Sequence, residues 1–212
     1  MTDVWSERAP AYREAPEQRE GEDLDLIVAW AEGAETALDV ATGGGHVARR
    51  LREAGLRVVT ADPAPGMRPD VLCRAEDLPF ADSSFDVVVT RIAPHHFEDV
   101  GAAVGELARV ARRHVLVEDT LYASEAVEEA ERLRDPTHVR SLSEEEWREL
   151  LEGAGLEVEE VRVVEKRHPL ESWLARTETP EADAVRVREL LRDHLDGGFY
   201  VDGKILLRAR KR

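Results

Sequence analysis

Between Ala37 and Leu51 the chain reads ALDVATGGGHVARRL: a short apolar run, three consecutive glycines, then an amphipathic run. A strand that feeds through a glycine turn directly into a helix is the opening unit of a parallel sheet, whose strands must be joined by crossovers. Glycine has no Cβ and tolerates positive φ, so the same loop lets main chain pass close to another group. The alternation then continues. RVVTAD (57–62) predicts a second strand with Asp62 at its carboxyl end, and DVLCRA (70–75) a third. SFDVVVTRIA (84–93) predicts a fourth, its Val87-Val88-Val89 core suited to burial on both faces. EDVGAAVGELARVA is the helix after it, and HVLVED (114–119) a fifth strand.

Downstream, SEAVEEAERLRD predicts a helix, and SLSEEEWRELLEGAG another, with Ser143 and Glu146 forming a capping box and Gly155 a stop. LEVEEVRVVEKRH alternates as a sixth strand. ESWLARTETPEADAVRVRELLRDHL is mostly helical with a break near Pro180, and FYVDGKILLRARK closes the chain with an Asp202-Gly203 pair that reads as a hairpin turn. Upstream, Trp5, Tyr12 and the helical spacing of LDLIVAWAEG (24–33) predict a helical N-terminal segment. The pattern implies an α/β fold, doubly wound, with ligands bound beyond the carboxyl ends of the strands. One interval is anomalous: PAPGMRPD alone separates the second and third strands, where a parallel crossover normally needs about a dozen residues. Either that crossover is reduced to a turn, or the third strand lies elsewhere.

Composition narrows the function. The chain has 212 residues, enough for one domain with a real core, and no apolar run long enough to span a membrane. MTDVWSERAP lacks the pattern of a signal peptide, and the single cysteine, Cys73, leaves no internal disulfide and no cysteine cluster for zinc, so a cytoplasmic address and no metal are expected. With 45 acidic against 29 basic residues the formal charge is −16. Such a surface repels phosphate backbones and anionic lipid, so no nucleic acid and no membrane partner is expected. The basic residues are nearly all arginine; lysine occurs only at Lys166, Lys204 and Lys211.

GGGHVA satisfies the G-x-G-x-x-A fingerprint, and Asp62 follows Gly43 by 19 residues, near the spacing of a ribose-binding acid. The loop alone admits a nicotinamide dinucleotide, S-adenosylmethionine, or no ligand. A short-chain dehydrogenase needs Tyr-x-x-x-Lys on a helix; YVDGK (200–204) has the spacing but carries a helix-breaking Asp-Gly between strand-like flanks.

Further runs carry a stronger signal: LDVATGGGHVA, VVTADPAPGM, RAEDLPFADSSFDVVVTRIAPHHFEDV, ELARVA, RDPTHVRSLSEEEWRELLEGAGLEVEE and the closing LLRARK. With these the chain resembles the class I S-adenosylmethionine-dependent methyltransferases, and within them the type 11 group that includes ubiquinone and menaquinone biosynthesis enzymes. The similarity spans most of residues 10–165 and the last strand. It implies a mostly parallel seven-stranded sheet with an antiparallel last strand and a small helical lid. The whole of 1–212 would be one methyltransferase domain, with an N-terminal helical cap over 1–35 and lid or substrate-side insertions at 120–150 and 169–198.

The resemblance also implies roles. Asp39, Ala41, Gly43 and Gly45 would hold the methionine half of the cofactor, Ala41 standing where many members have the first of three glycines. Asp62 would take both ribose hydroxyls beside Pro63, with Ala75 and Glu76 next to the adenine. Arg74 replaces the acid that often meets the adenine amino group. Arg91 would line the floor under the sulfonium, and Tyr12 would close over it from the N-terminal helix. The reaction implied is displacement at the methyl carbon, leaving S-adenosylhomocysteine, in which the protein supplies alignment and water exclusion. Where the acceptor needs deprotonation, His96 and then His95 are the candidate bases. His138, Arg140, Trp173 and Arg176, on the two lid segments, are candidate contacts for a small-molecule methyl acceptor. Monomer and homodimer are both compatible with these features. The competing readings are a protein that binds the cofactor without turnover and, more distantly, an NAD-linked oxidoreductase.

Overall fold

A computed structural model of the chain describes residues 4–14 and 19–212; residues 1–3 and 15–18 of the expected cap lie outside the described residues. Eight strands form one sheet: β1 (Thr36–Val40), β2 (Arg57–Asp62), β3 (Val71–Leu72), β4 (Phe85–Arg91), β5 (Ala111–Thr120), β6 (Leu156–Pro169), β7 (Leu195–Asp196) and β8 (Phe199–Lys211). Their order is β3-β2-β1-β4-β5-β8-β6, with the two-residue β7 paired to β8. The first five strands are mutually parallel, and β8 runs antiparallel to both β5 and β6.

Burial on both faces follows from side-chain alternation. On β4, Val88 joins one apolar core with Val104, Leu107, Trp147 and Leu151, from α4 (Val100–Val110) and α6 (Glu144–Gly153). Val87 and Val89 face the other, with Leu24, Ile27, Val47 and Leu51 from α2 (Glu22–Trp30) and α3 (His46–Glu53). The expected capping box starts α6: Ser143 Oγ accepts from Glu146 N, and the Glu146 carboxylate accepts from Ser143 N. A third apolar cluster joins α5 (Glu125–Arg134), α7 (Leu170–Ala175) and α8 (Glu181–Leu190) through Val127, Trp173, Val187 and Tyr200. The segment expected at 120–150 therefore divides: α5 belongs with the lid helices, and α6 is part of the main sandwich. The N-terminal segment divides in the same way, since α2 is one of the layers of the core.

The anomalous crossover is real. Between β2 and β3 the chain makes only a 3-10 turn, Pro65–Met67, yet Ala61 and Asp62 pair in parallel with Val71 and Leu72. The first helix, α1 (Val4–Glu14), lies against that turn: Ala9 packs with Ala64 and Met67, Gly66 N donates to Ser6 Oγ (2.8 Å), and Arg13 donates to Gly66 O (2.5 Å). A helix from the N-terminus thus covers the shortened connection.

The expected turn at Asp202-Gly203 is a correction. Both residues lie inside β8, paired with Lys166 and Glu165. The turn is Gly197-Gly198, φ +55° and +84°, joining β7 to β8 with the two left-handed residues a tight hairpin favours. Asp202 remains in the strand because its carboxylate is paired there, with Lys204 and His168. Beyond Lys204, which faces Thr120 at the end of β5, residues 199–203 of β8 pair only with β6 and β7. This overhanging ribbon carries the lid helices and forms one wall of the site. No helix among the described residues is long and apolar enough to cross a membrane.

Candidate active site

The carboxyl ends of β1, β2, β4 and β5 open into a cavity of about 390 Å³, which α1, the lid helices and the overhanging ribbon enclose from the other side. At its base the chain leaves β1 through three left-handed residues, Ala41 (φ +55°), Gly43 (+51°) and Gly45 (+74°). Asp39 organises the loop: its Oδ2 accepts from Thr42 Oγ1 (2.6 Å) and from Ala48 N (3.1 Å). Burial pushes its carboxyl up to about 6. Gly44 is where α1 approaches. A Cβ there would stand 2.6 Å from the Tyr12 carbonyl oxygen, which lies 2.9 Å from His46 Nε2.

Asp62, at the end of β2, spans two segments. Its Oδ2 accepts from Gly43 N (3.0 Å) and its Oδ1 from Ala64 N (2.9 Å). Pro63, Arg74, Ala75 and Glu76 line the wall beside it. Arg74 donates to Glu76 and pairs with Glu98, so it is spent on the rim, while Glu76 also accepts from the Glu98 and Asp99 amides. Arg91 is clamped between Asp23 (2.5 Å) and Glu118 (2.8 Å), and Asp23 also takes Lys166 (2.6 Å). Those two cations hold Asp23 down at about 2 despite its burial.

The loop after β4 brings both histidines to the cavity. His95 Nδ1 lies 2.5 Å from Asp119 Oδ1, on the neighbouring strand β5. His96 presents Nδ1 to the Thr137 carbonyl oxygen (3.0 Å), and its ring packs on Trp5 of α1 (4.7 Å between centroids). Burial drives both imidazoles down, to about 3, with the charges of His138 and Lys204 adding at His95. The same burial raises Asp119 to about 7. The far wall contains Lys204, Asp202, His168 and Lys166 from the ribbon, and Glu131, Arg134, Trp173 and Arg176 from the lid. Arg134 lies over the Trp173 ring (4.1 Å) and pairs with Glu131.

Of the residues singled out in the sequence, Tyr12, Asp39, Ala41, Gly43, Asp62, Pro63, Ala75, Glu76, Arg91, His95, His96, Trp173 and Arg176 line this cavity. Three do not. Gly45 is the N-cap of α3, where its positive φ turns the chain into the helix. His138 is turned inward onto Glu128 (3.0 Å) with its side chain 2% exposed, and Arg140 lies on the outer surface, paired with Glu146. Sequence reasoning missed Asp119, Lys204, Asp202 and His168. The signal for Lys204 was present: two of the chain's three lysines, Lys166 and Lys204, line the cavity of a protein that otherwise uses arginine.

A parallel sheet ending in an antiparallel β8-β6 pair, with a glycine loop after β1 and acids at the ends of β1 and β2, defines the class I methyltransferase fold. Comparison with known proteins agrees. A family model described as a methyltransferase domain matches residues 38–117. The chain is 32% identical over 201 residues to the uncharacterised methyltransferase YcgJ of Bacillus subtilis (strain 168), covering 83% of this chain and 79% of that one. The crystal structure of YcgJ superposes with a TM-score of 0.80 at 27% identity, covering 90% of this chain and 98% of the other. A shorter match, 36% over 92 residues, covers 39% of this chain and 38% of the demethylmenaquinone methyltransferase of Beutenbergia cavernae. The chain belongs to this methyltransferase family, whose fold is that of the S-adenosylmethionine-dependent class I enzymes.

Proposed function

We propose that the chain transfers the methyl group of S-adenosylmethionine to a small-molecule acceptor held beneath the lid. One observation carries this reading: a single cavity runs from the glycine loop and Asp62 to His95, His96 and the lid. Donor and acceptor can therefore meet in one enclosure away from water. The residues fit the cofactor chemically. Gly43, whose added Cβ would meet nothing closer than the Ala41 oxygen at 4.0 Å, leaves room for an amino-acid tail, and Asp39 places an acid beside its ammonium. Asp62 is held at the cavity wall by the amides of Gly43 and Ala64, which orients its carboxylate to accept from ribose hydroxyls.

In this assignment Ala41, Gly43 and Asp39 hold the methionine half, with Gly45 setting the direction of α3. Asp62 and Pro63 hold the ribose, and Ala75 and Glu76 the adenine. Tyr12 covers the cofactor from α1, and Arg91 lies under the sulfonium with its own charge balanced by Asp23 and Glu118. The sulfonium supplies an already activated methyl group. The protein aligns the acceptor, excludes water and, where the acceptor is protonated, removes a proton. His95 is the better base of the two, because Asp119 fixes its Nδ1 and directs proton exchange to Nε2. Trp173 and Arg176 line the acceptor side. The demethylmenaquinone methyltransferase, matched over 38% of its length, is named for a small-molecule acceptor rather than a macromolecule, which supports the same class here.

Calorimetric titration with S-adenosylmethionine, S-adenosylhomocysteine and NAD, alongside Asp62→Ala, tests the reading. Both adenosyl ligands bind the wild type, NAD does not, and Asp62→Ala weakens adenosyl binding by about 10- to 100-fold, as loss of a charge-assisted hydrogen-bond pair predicts. Binding of NAD in place of the adenosyl ligands would overturn it.

A further inference from the structure

Lys204, outside the residues assigned to the cofactor, is a deeply buried cation of the cavity wall. It stands on β8 opposite Thr120, with its side chain 5% exposed. Nζ donates to Thr120 Oγ1 (2.7 Å) and to Asp202 Oδ2 (2.7 Å). An ammonium has three N–H donors. The third has no partner among the described residues, and Lys204 lines the cavity. A buried charged donor left unsatisfied is costly, so a ligand oxygen at this point is favoured.

The surroundings select the kind of oxygen. Lys204 is neutralised by Asp202, whose Oδ1 takes His168 (3.2 Å) and which is held at about 2 by those two partners. Lys166, Arg167 and His168 of β6, Glu131 and Arg134 of α5, Asp135 beside it, Arg176 after α7 and the His95–Asp119 pair are the other charged or titratable groups on this side of the cavity. A single N–H fits one oxygen, and the fork of Arg134, suited to a carboxylate or phosphate, is already engaged by Glu131 and by the Trp173 carbonyl oxygen. A permanent anion would also have no use for His95. An ionisable hydroxyl uses both groups, and Trp5, Ile92, Phe97 and Trp173 offer apolar walls to a planar ring.

We propose that Lys204 holds the acceptor's reacting oxygen, and that the acceptor is a phenol or enol whose hydroxyl proton passes to Nε2 of His95. The inference rests on the methyltransferase reading of the same cavity. The O–H bond breaks, its electron pair stays on the oxygen facing Lys204, and the proton ends on Nε2 while Nδ1 remains bonded to Asp119. Lys204 contributes by stabilising the anion, and selectivity follows: an acceptor lacking an ionisable oxygen leaves the third N–H unpaired.

The test uses 4-nitrophenol, whose phenolate absorbs in the visible, titrated against pH with protein saturated in S-adenosylhomocysteine. In the wild type the bound phenol ionises about 1 unit or more below its value in buffer, as a cation within a few ångströms requires. In Lys204→Met the shift disappears while affinity for S-adenosylhomocysteine is retained. If Lys204→Met fails to fold because Asp202 is left unpaired, Lys204→Met with Asp202→Asn removes both charges and takes its place. Failure of the probe to bind, binding without a shift, or a shift that survives loss of Lys204 overturns the proposal. Absence of S-adenosylhomocysteine binding in the wild type overturns instead the methyltransferase reading, so the two failures are separable.

Discussion

One added methyl group should detach α1. A Cβ at Gly44 would lie 2.6 Å from the backbone oxygen of Tyr12, and one at Gly66 would lie 2.5 Å from the backbone Cα of Ser6, distances that real side chains do not adopt. Neither position has positive φ, so the effect of alanine there is steric. Overpacking of this kind costs about 1–3 kcal/mol. A cost of about 2 kcal/mol to the docked state raises the population with α1 undocked on the order of 30-fold. Amide exchange of residues 4–14, referenced to β4 in the same sample, reads that population directly. Gly44→Ala and Gly66→Ala should give similar loss of α1 protection with β4 unchanged. Gly105→Ala, in mid-α4 with nothing within 4 Å of the new Cβ, serves as control and stabilises by about 1 kcal/mol. Wild-type protection of α1 in both crowded variants would refute the docking argument.

Two further predictions concern stability. Asp23, Asp135 and Asp202 are depressed to about 2, so their contribution is present above the usual carboxylate range and is lost as pH falls from about 4 toward 2. Asp39, raised to about 6, and Glu118 and Asp119, raised to about 7, act oppositely, losing stability as pH rises from about 4 to 7. His95 and His96, held at about 3, offset much of that loss, because their contribution grows as pH rises from about 3 to the usual imidazole range. Thermal unfolding against pH should therefore rise to about pH 5 and change little up to about pH 7, and a maximum above pH 8 would contradict this balance. Ala41→Gly relieves left-handed strain of about 1–2 kcal/mol, offset in part by unfolded-chain entropy of about 0.4–1 kcal/mol, for a net gain of about 0.5–1 kcal/mol in denaturant unfolding. A net loss would mean that the Ala41 methyl group packs favourably in the loop.

The parallel half of the sheet was legible because local signals and tertiary demand coincide there. Val87-Val88-Val89 has to be a strand buried on both sides, and GGGHVA has to be a turn into a helix. The Asp202-Gly203 reading failed because a turn signal is only a local preference. The carboxylate of Asp202 gains more from Lys204 and His168 than from a turn, and Gly197-Gly198 supplies both left-handed residues at no steric cost. His138 and Arg140, expected on the acceptor side, point away from the cavity for a similar reason. The loop that carries them is tied to the loop after β4, since Val139 N and Arg140 N both donate to the His95 carbonyl oxygen. The direction of each side chain is set by its partner, Glu128 for one and Glu146 for the other, and no spacing in the sequence encodes those pairs. Asp119 could be found only by knowing that β5 lies beside β4.

The acidity of the chain and the chemistry of its cavity are reconciled by pairing. Arg91 lies between Asp23 and Glu118, Lys166 on Asp23, Lys204 on Asp202 and Arg134 on Glu131. These four cations are thus neutralised within hydrogen-bond distance, and a small ligand meets them as directed donors rather than as a net field. The formal charge of −16 acts from outside, where salt screens it beyond about 10 Å. It favours the approach of a cationic ligand without deciding which acceptor is taken. That choice depends on the groups left over once the internal pairs have formed: the third N–H of Lys204 and Nε2 of His95. Both are held by strands, Lys204 on β8 and Asp119, behind His95, on β5. The antiparallel β5–β8 pairing therefore sets the geometry of the acceptor side as firmly as the β1–β2 pairing sets Asp39 against Asp62 on the cofactor side.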